Sequence, residues 1–156
     1  MTLGLVPPEP VAEAVVVEIV VRGIPVPQGS MRAFVNPRTG HAQVVSKPRG
    51  GSLEAWRDRI ATEAQATMVG RAPIRGPVKI EAAFVFPWLA SHYDVHGRLK
   101  RSAPKWKATA PDWDKVSRAL DSLKGIVLAD DGQIVDAHIT KPYGEEPGLR
   151  LRVSAL

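Results

Sequence analysis

Not one of the 156 residues is cysteine. Disulfides, thiolate metal sites and a cysteine nucleophile are therefore excluded, and the absence suits a cytoplasmic protein. No stretch approaches the roughly 18 consecutive apolar residues of a membrane span. Residues 1–10 lack the basic start and continuous apolar run of a signal peptide. We read residues 1–13 as a flexible, proline-rich tail and 14–156 as one domain, long enough to bury about two-thirds of its unfolded surface. There is no internal repeat and no glycine-rich nucleotide motif. What the chain has in excess is positive charge. Lys and Arg number 21 against 16 Asp and Glu, giving a formal net charge of +5, and the isoelectric point is near 9.8. That balance favours a polyanionic partner.

Hydrophobic periodicity divides the chain into short elements. VVVEIVVR, from Val15 to Arg22, is β-branched and reads as a central strand. Gly23, Pro25 and Pro27 end it. The loop that follows offers Gly29, Ser30 and Arg32, small residues beside a cation that let a phosphate approach the backbone. A plain connecting loop is the alternative. Arg32 to Val35 and His41 to Val45 flank Asn36-Pro37-Arg38-Thr39-Gly40 as a hairpin, and Lys47 to Gly51 is a basic connector. Ser52 starts a helix to about Met68, with Leu53, Trp56, Ile60, Ala64 and either Thr67 or Met68 on its apolar face. Trp56 is a core residue in this reading, while Arg57, Arg59 and Glu63 take the wet side.

Gly70 to Pro77 is a loop, and Val78 to Phe86 is a strand. Residues 87–111 carry little regular pattern but hold His92, Tyr93, His96, Arg98, Lys100, Arg101, Lys105, Trp106 and Lys107. Aromatics interleaved with cations suit single strands or a distorted junction, by stacking and phosphate contact. The plainer reading is a solvated, disordered linker. His92 and His96 have a metal-like spacing, but Gly97 argues against the helix that spacing needs. Gln133 to Lys141 and Leu149 to Val153 read as the last strands. The order implies an α+β fold, a small mixed β-sheet with two main helices in a single domain.

The chemistry concentrates between Ala110 and Asp136, in APDWDKVSRALDSLKGIVLADDGQIVD. Val116, Ala119, Leu120 and Leu123 recur at helical spacing, which leaves Asp114, Arg118 and Asp121 on the opposite face. Asp114 stands as the N-cap, Gly125 as the left-handed stop, and the helix runs about three turns. A tight reversal after it brings Asp130 and Asp131 back toward Asp112 and Asp114. Clustered carboxylates repel unless a cation neutralises them, and hard oxygen ligands select Mg²⁺ or Mn²⁺. Taken separately, each pair reads more readily as a helix cap or a turn; taken together, with a cation on the same helical face, they point as much to a metal as to caps and turns.

Pro111-Asp112-x-Asp114-Lys115, Arg118-Ala119, Asp121-x-Leu123 and Asp130-Asp131-x-Gln133-Ile134-Val135 together resemble the signature of RusA-type Holliday junction resolvases, small nucleases of phages and bacteria. The Gly23-Ile24-Pro25-x-Pro27-Gln28-Gly29-Ser30 loop and the Phe84 to Tyr93 stretch extend the resemblance over nearly the whole chain after about residue 14. There are two departures: the family carries lysine where Arg118 stands, and the segment between Asp114 and Asp121 is one residue shorter. The resemblance implies an Mg²⁺-dependent endonuclease of DNA recombination and repair that resolves four-way junctions by paired nicks, as a homodimer.

On that reading Asp112, Asp114 and Asp131 ligate the metal, with Asp130 assisting, and Arg118 contacts the scissile phosphate. Arg32, Lys115, Arg98, Lys100, Arg101, Lys105 and Lys107 bind DNA, and Asp121 is solvated rather than orienting Arg118. Two rivals remain: a non-catalytic binder of branched DNA, and a metal-dependent hydrolase of small phosphorylated substrates, which the long basic loop disfavours.

Overall fold

Val78–Pro87 forms β4, the strand on which the others are assembled. Its alternate residues Val78, Ile80, Ala82, Phe84 and Phe86 are buried, as a period of two requires of a strand with one covered face. In this computed structural model the described residues are 4, 15–29, 31–35, 37–46 and 52–156, with backbone alone described for 31–35 and 42–46. The expected tail, apart from Gly4, and the Lys47–Gly51 connector lie outside them, as does Ser30.

One edge of β4 pairs antiparallel with β7, Gly148–Ala155. Its other edge pairs parallel with β5, Ile134–Thr140, and then with the two-residue β6, Tyr143–Gly144. The strand β1, Val16–Arg22, lies antiparallel on the far side of β7, giving the order β1-β7-β4-β5. This is the mixed sheet of an α+β domain. The expectation that β1 is central does not hold. Val17, Ile19 and Val21 are buried while Glu18, Val20 and Arg22 are exposed, so the β-branched run serves one covered face at a sheet edge. Close approach of β1 and β7 requires Gly148, because a Cβ there meets the Val21 carbonyl. The strands β2, Met31–Val35, and β3, Ala42–Ser46, make the expected hairpin as a separate two-stranded sheet.

The helix α1, Leu53–Thr67, begins as expected, with the Ser52 hydroxyl accepting the Ala55 amide at 3.1 Å. Its stripe of Trp56, Ile60, Ala64 and Met68 is buried, against β1 and residues 118–123. The second helical segment covers the expected residues but changes character. Only α2, Trp113–Ser117, is α-helical, and Arg118–Leu123 winds as a 3-10 helix. Serine hydroxyls account for part of this. Ser117 donates to the Asp114 carbonyl at 2.9 Å and Ser122 to the Ala119 carbonyl at 2.6 Å, each reaching back three residues. The N-cap is Asp112, and Asp114 falls in the first turn. Val116, Ala119, Leu120 and Leu123 are all buried, and Gly125 takes φ +81° as the stop.

Residues 88–111 are folded rather than a disordered linker. The Asp94 carboxylate accepts the amides of His96 and Arg98 at 2.8 and 2.9 Å, closing a turn across the Tyr93–Leu99 bridge. Trp88 stacks on Tyr143, and His92 meets both rings edge-on.

Leu123 is fully buried where the 3-10 segment meets the core. Leu123→Ala is expected to cost about 2–5 kcal/mol. Equilibrium urea unfolding should show a lower midpoint at an unchanged slope; an unchanged midpoint would remove this segment from the cooperative core.

Candidate active site

Asp112 lies just ahead of α2 in extended backbone, φ −64° and ψ 147°, and its side chain makes no capping hydrogen bond. Its carboxylate is thus not spent on the helix it precedes. Asp114 sits one turn below Arg118, whose Nη2 is 3.9 Å from Oδ2 of Asp114. Both side chains are about half exposed, so this pair is weak and exchangeable. The Arg118 Nη1 also donates to Oε1 of Gln28 at 3.4 Å, and the Gln28 amide donates to the Lys115 carbonyl at 3.0 Å. The proline-rich loop after β1 is thereby tied to the acidic helix. A cavity of about 120 Å³ lies between them, lined by Pro27, Gln28, Pro111, Asp112 and Lys115 among others.

The second acidic pair is built by a different device. The Asp130 carboxylate accepts the Asp131 amide at 3.0 Å, and Gln133 Oε1 accepts the Asp130 amide at 2.9 Å. The amide nitrogen of the Gln133 side chain then donates to the carbonyls of Ile74 and Gly76 at 2.8 and 2.9 Å. This pins a 3-10 turn, Asp131–Gln133, at the entrance to β5. Asp130 pairs with Lys124 at 3.4 Å. Burial, first, and the neighbouring Asp121 hold the Asp131 carboxyl above the ordinary value of 3.8; Lys124 pulls it down, and Asp130 pushes it up again.

Asp121 turns out to have a partner. Its Oδ2 lies 3.5 Å from the Nη2 of Arg57, which also donates to the Arg118 carbonyl at 3.3 Å. Arg57 therefore bridges from α1 to the acidic segment, instead of sitting on the wet side of its helix. Its Nε is buried without a hydrogen-bond partner among the described residues. Arg59 and Glu63 are exposed, as expected of that face.

The expected convergence of the two acidic pairs into a metal-holding group is not seen among the described residues. Asp131 stands just before β5, and the side chain of Lys141, just after it, reaches the Pro111 carbonyl next to Asp112. Among the described residues, no three His, Asp or Glu side chains come close enough as placed to form a metal-holding group. The donor chemistry itself fits a hard cation. All the candidates are carboxylates, and Mg²⁺ commonly takes one or two of them, completing its shell with water and substrate phosphate.

The sequence model of the family described as endodeoxyribonuclease RusA matches residues 25–154. The chain belongs to the RusA endodeoxyribonuclease family. It is accordingly a nuclease, and the fold described above is that of a RusA-family domain. No curated protein matches it with significance.

The cations expected to hold DNA are distributed unevenly in this RusA-family domain. Lys100 Nζ donates to the Ser91 carbonyl at 3.0 Å, and Arg98 lies 3.8 Å from Asp94, so both brace the loop that carries them. Lys105 covers the exposed Trp106 ring at 4.8 Å. Lys107 donates to Thr109 at 3.1 Å and sits over Phe86 and Tyr143. Arg101 is exposed, and Lys115 is partly buried beside the cavity. For Arg32 the backbone lies in β2, and its side chain is outside the described residues. Sequence reasoning missed Arg57 and Lys141. Neither carries a local signal, since both act on residues far along the chain.

Asp131 has a consequence for stability. A carboxyl raised on folding is held more tightly by the folded state, so its contribution is full below 3.8 and is lost as pH rises through the raised value. In EDTA, Asp131→Asn is therefore expected to melt higher than wild type at pH 7. The gap should close below pH 3.8, and a variant that melts lower at neutral pH would refute the crowding.

Proposed function

We propose that this RusA-family nuclease is an Mg²⁺-dependent endonuclease that resolves Holliday junctions by paired symmetric nicks, in DNA recombination and repair. The observation that carries the reading is a crowd of carboxylates between Asp112 and Asp131 in a chain of net charge +5. The positive balance attracts phosphates, and the acidic stretch supplies ligands for the ion. Asp112, Asp114 and Asp131 would hold Mg²⁺, with Asp130 assisting and Mn²⁺ as a substitute. When bound, the ion lowers the pKa of a coordinated water and offsets charge on the scissile phosphate.

The chain's own residues do the rest. Arg118 is already held near the acidic helix by Gln28 and Asp114, and its fork of donors suits a phosphate oxygen. Lys115, Arg101, Lys105, Lys107 and the neighbouring basic residues bind the arms of the junction through their phosphates. Two symmetric nicks call for two sites, which a two-fold homodimer supplies. Because no three carboxylates among the described residues of one chain come together as placed, a second copy would also give a means of bringing Asp131 of one protomer to Asp112 and Asp114 of the other.

The deciding experiment is cleavage of a labelled four-way junction against linear duplex, with Mg²⁺ and with EDTA. Wild type should make paired nicks near the crossover that disappear in EDTA. Asp112→Asn should bind the junction yet cut on the order of 10²–10³-fold more slowly. Junction binding without metal-dependent cutting would make the protein a branched-DNA binder, and the proposal would fall. Binding should weaken steeply with salt, as it would not for a small phosphorylated substrate.

A further inference from the structure

Lys141 follows β5 directly, at the point where the chain turns into β6. Its neighbours form a strap. The Lys107 amide donates to the Lys141 carbonyl at 2.8 Å, the Tyr143 amide to the Lys105 carbonyl at 2.9 Å, and Trp106 bridges to Pro142. These bonds fix the end of the basic loop, residues 105–107, to the turn after β5. From there the chain must still cross residues 108–111 before reaching Asp112.

The Lys141 ammonium spans that gap. Its Nζ donates to the Thr109 carbonyl at 2.9 Å and to the Pro111 carbonyl at 2.6 Å. The Pro111 carbonyl belongs to the same rigid peptide plane as the Asp112 nitrogen, so gripping one orients the other. No capping bond holds the Asp112 side chain from within α2. Burial, first, and then the adjacent Lys107 lower the pKa of Lys141, while Asp112 opposes them. An ordinary surface lysine would be solvated and mobile; this one is half-buried with two carbonyl partners.

We infer that Lys141 is a positioning residue: by clamping the Thr109 and Pro111 carbonyls it sets the place of the Asp112 carboxylate for metal binding. The inference rests on the metal reading proposed above. It also makes a sign distinction. Removing a cation beside a metal site should tighten metal binding if charge alone matters, whereas loss of positioning weakens it.

The test is Tb³⁺ luminescence on the full-length protein without DNA, sensitised by tryptophan, with Mg²⁺ as competitor. Trp113, 61% exposed between Asp112 and Asp114, provides the antenna. Lys141→Met should weaken Mg²⁺ about tenfold, as loss of a supporting partner does elsewhere. Lys141→Arg should stay within about twofold, because it keeps the charge and the donors. On an Asp112→Asn background, Lys141→Met should add nothing, since it acts through that carboxylate. Unchanged or tighter Mg²⁺ binding in Lys141→Met, or full additivity in the double variant, overturns the inference while leaving the metal reading intact. If Asp112→Asn alone leaves Mg²⁺ binding unchanged, the metal reading falls first and this role with it. Should Lys141→Met fail to fold, Lys141→Gln carries the test, with a smaller weakening expected from its single-carbonyl reach.

Discussion

Five aspartates fall between positions 112 and 131, and the fold must hold them without their charges driving the segment apart. It does so in part by giving three of them cations from separate parts of the chain. Arg57 comes from α1 to Asp121, Arg118 from the next turn to Asp114, and Lys124 from the following loop to Asp130. Partly exposed pairs of this kind are each worth about 0–1 kcal/mol, so they do not hold the domain together. That task falls to the β4-centred core. What the pairs provide is placement: Asp114, Asp121 and Asp130 are each held by a contact weak enough to give up.

That arrangement separates two properties that a simple acidic pocket would join. A dry cluster of carboxylates would force protonation of its members, and a protonated carboxyl is a poor metal ligand. Here Asp112, Asp121 and Asp130 are exposed and Asp114 and Asp131 only partly buried, and burial, first, with the neighbouring Asp121 raises the Asp131 carboxyl above its ordinary value. Asp131 is also the one set in the 3-10 turn that Gln133 pins to the loop before β4. The rigid side of the site is thus the entrance to β5. Around Asp112 and Arg118, by contrast, order depends on side chains arriving from elsewhere: Gln28, Arg57 and Lys141.

This contrast explains what could be read in the sequence. Features set by neighbours three or four residues apart were legible: the Ser52 cap, the buried stripe of α1, the apolar face from Val116 to Leu123, the stop at Gly125 and the hairpin around residue 38. The aspartates themselves were legible because their pattern is local. Placement in the sheet was not. A run such as VVVEIVVR looks alike at the centre of a sheet or at an edge with one covered face, and only pairing with β7 decides it. Nor did any local signal mark β6, or show that residues 118–123 would wind as a 3-10 helix. The expected meeting of the two acidic pairs failed for a related reason, since it depends on how α2 lies along β5, which no spacing encodes.

The spread of the acidic residues in turn shapes what a single chain can accomplish. Mg²⁺ takes oxygen ligands at about 2.0–2.1 Å, and no three carboxylates among the described residues come together as placed. Either one pair works with water and a phosphate oxygen from the substrate, or a second copy contributes the other pair. In the second case assembly and metal binding are one equilibrium, and an isolated protomer is held inactive by its own geometry. For a nuclease of the kind proposed, which would cut two strands of a junction, such a dependence would place the requirement for two partners in the site itself.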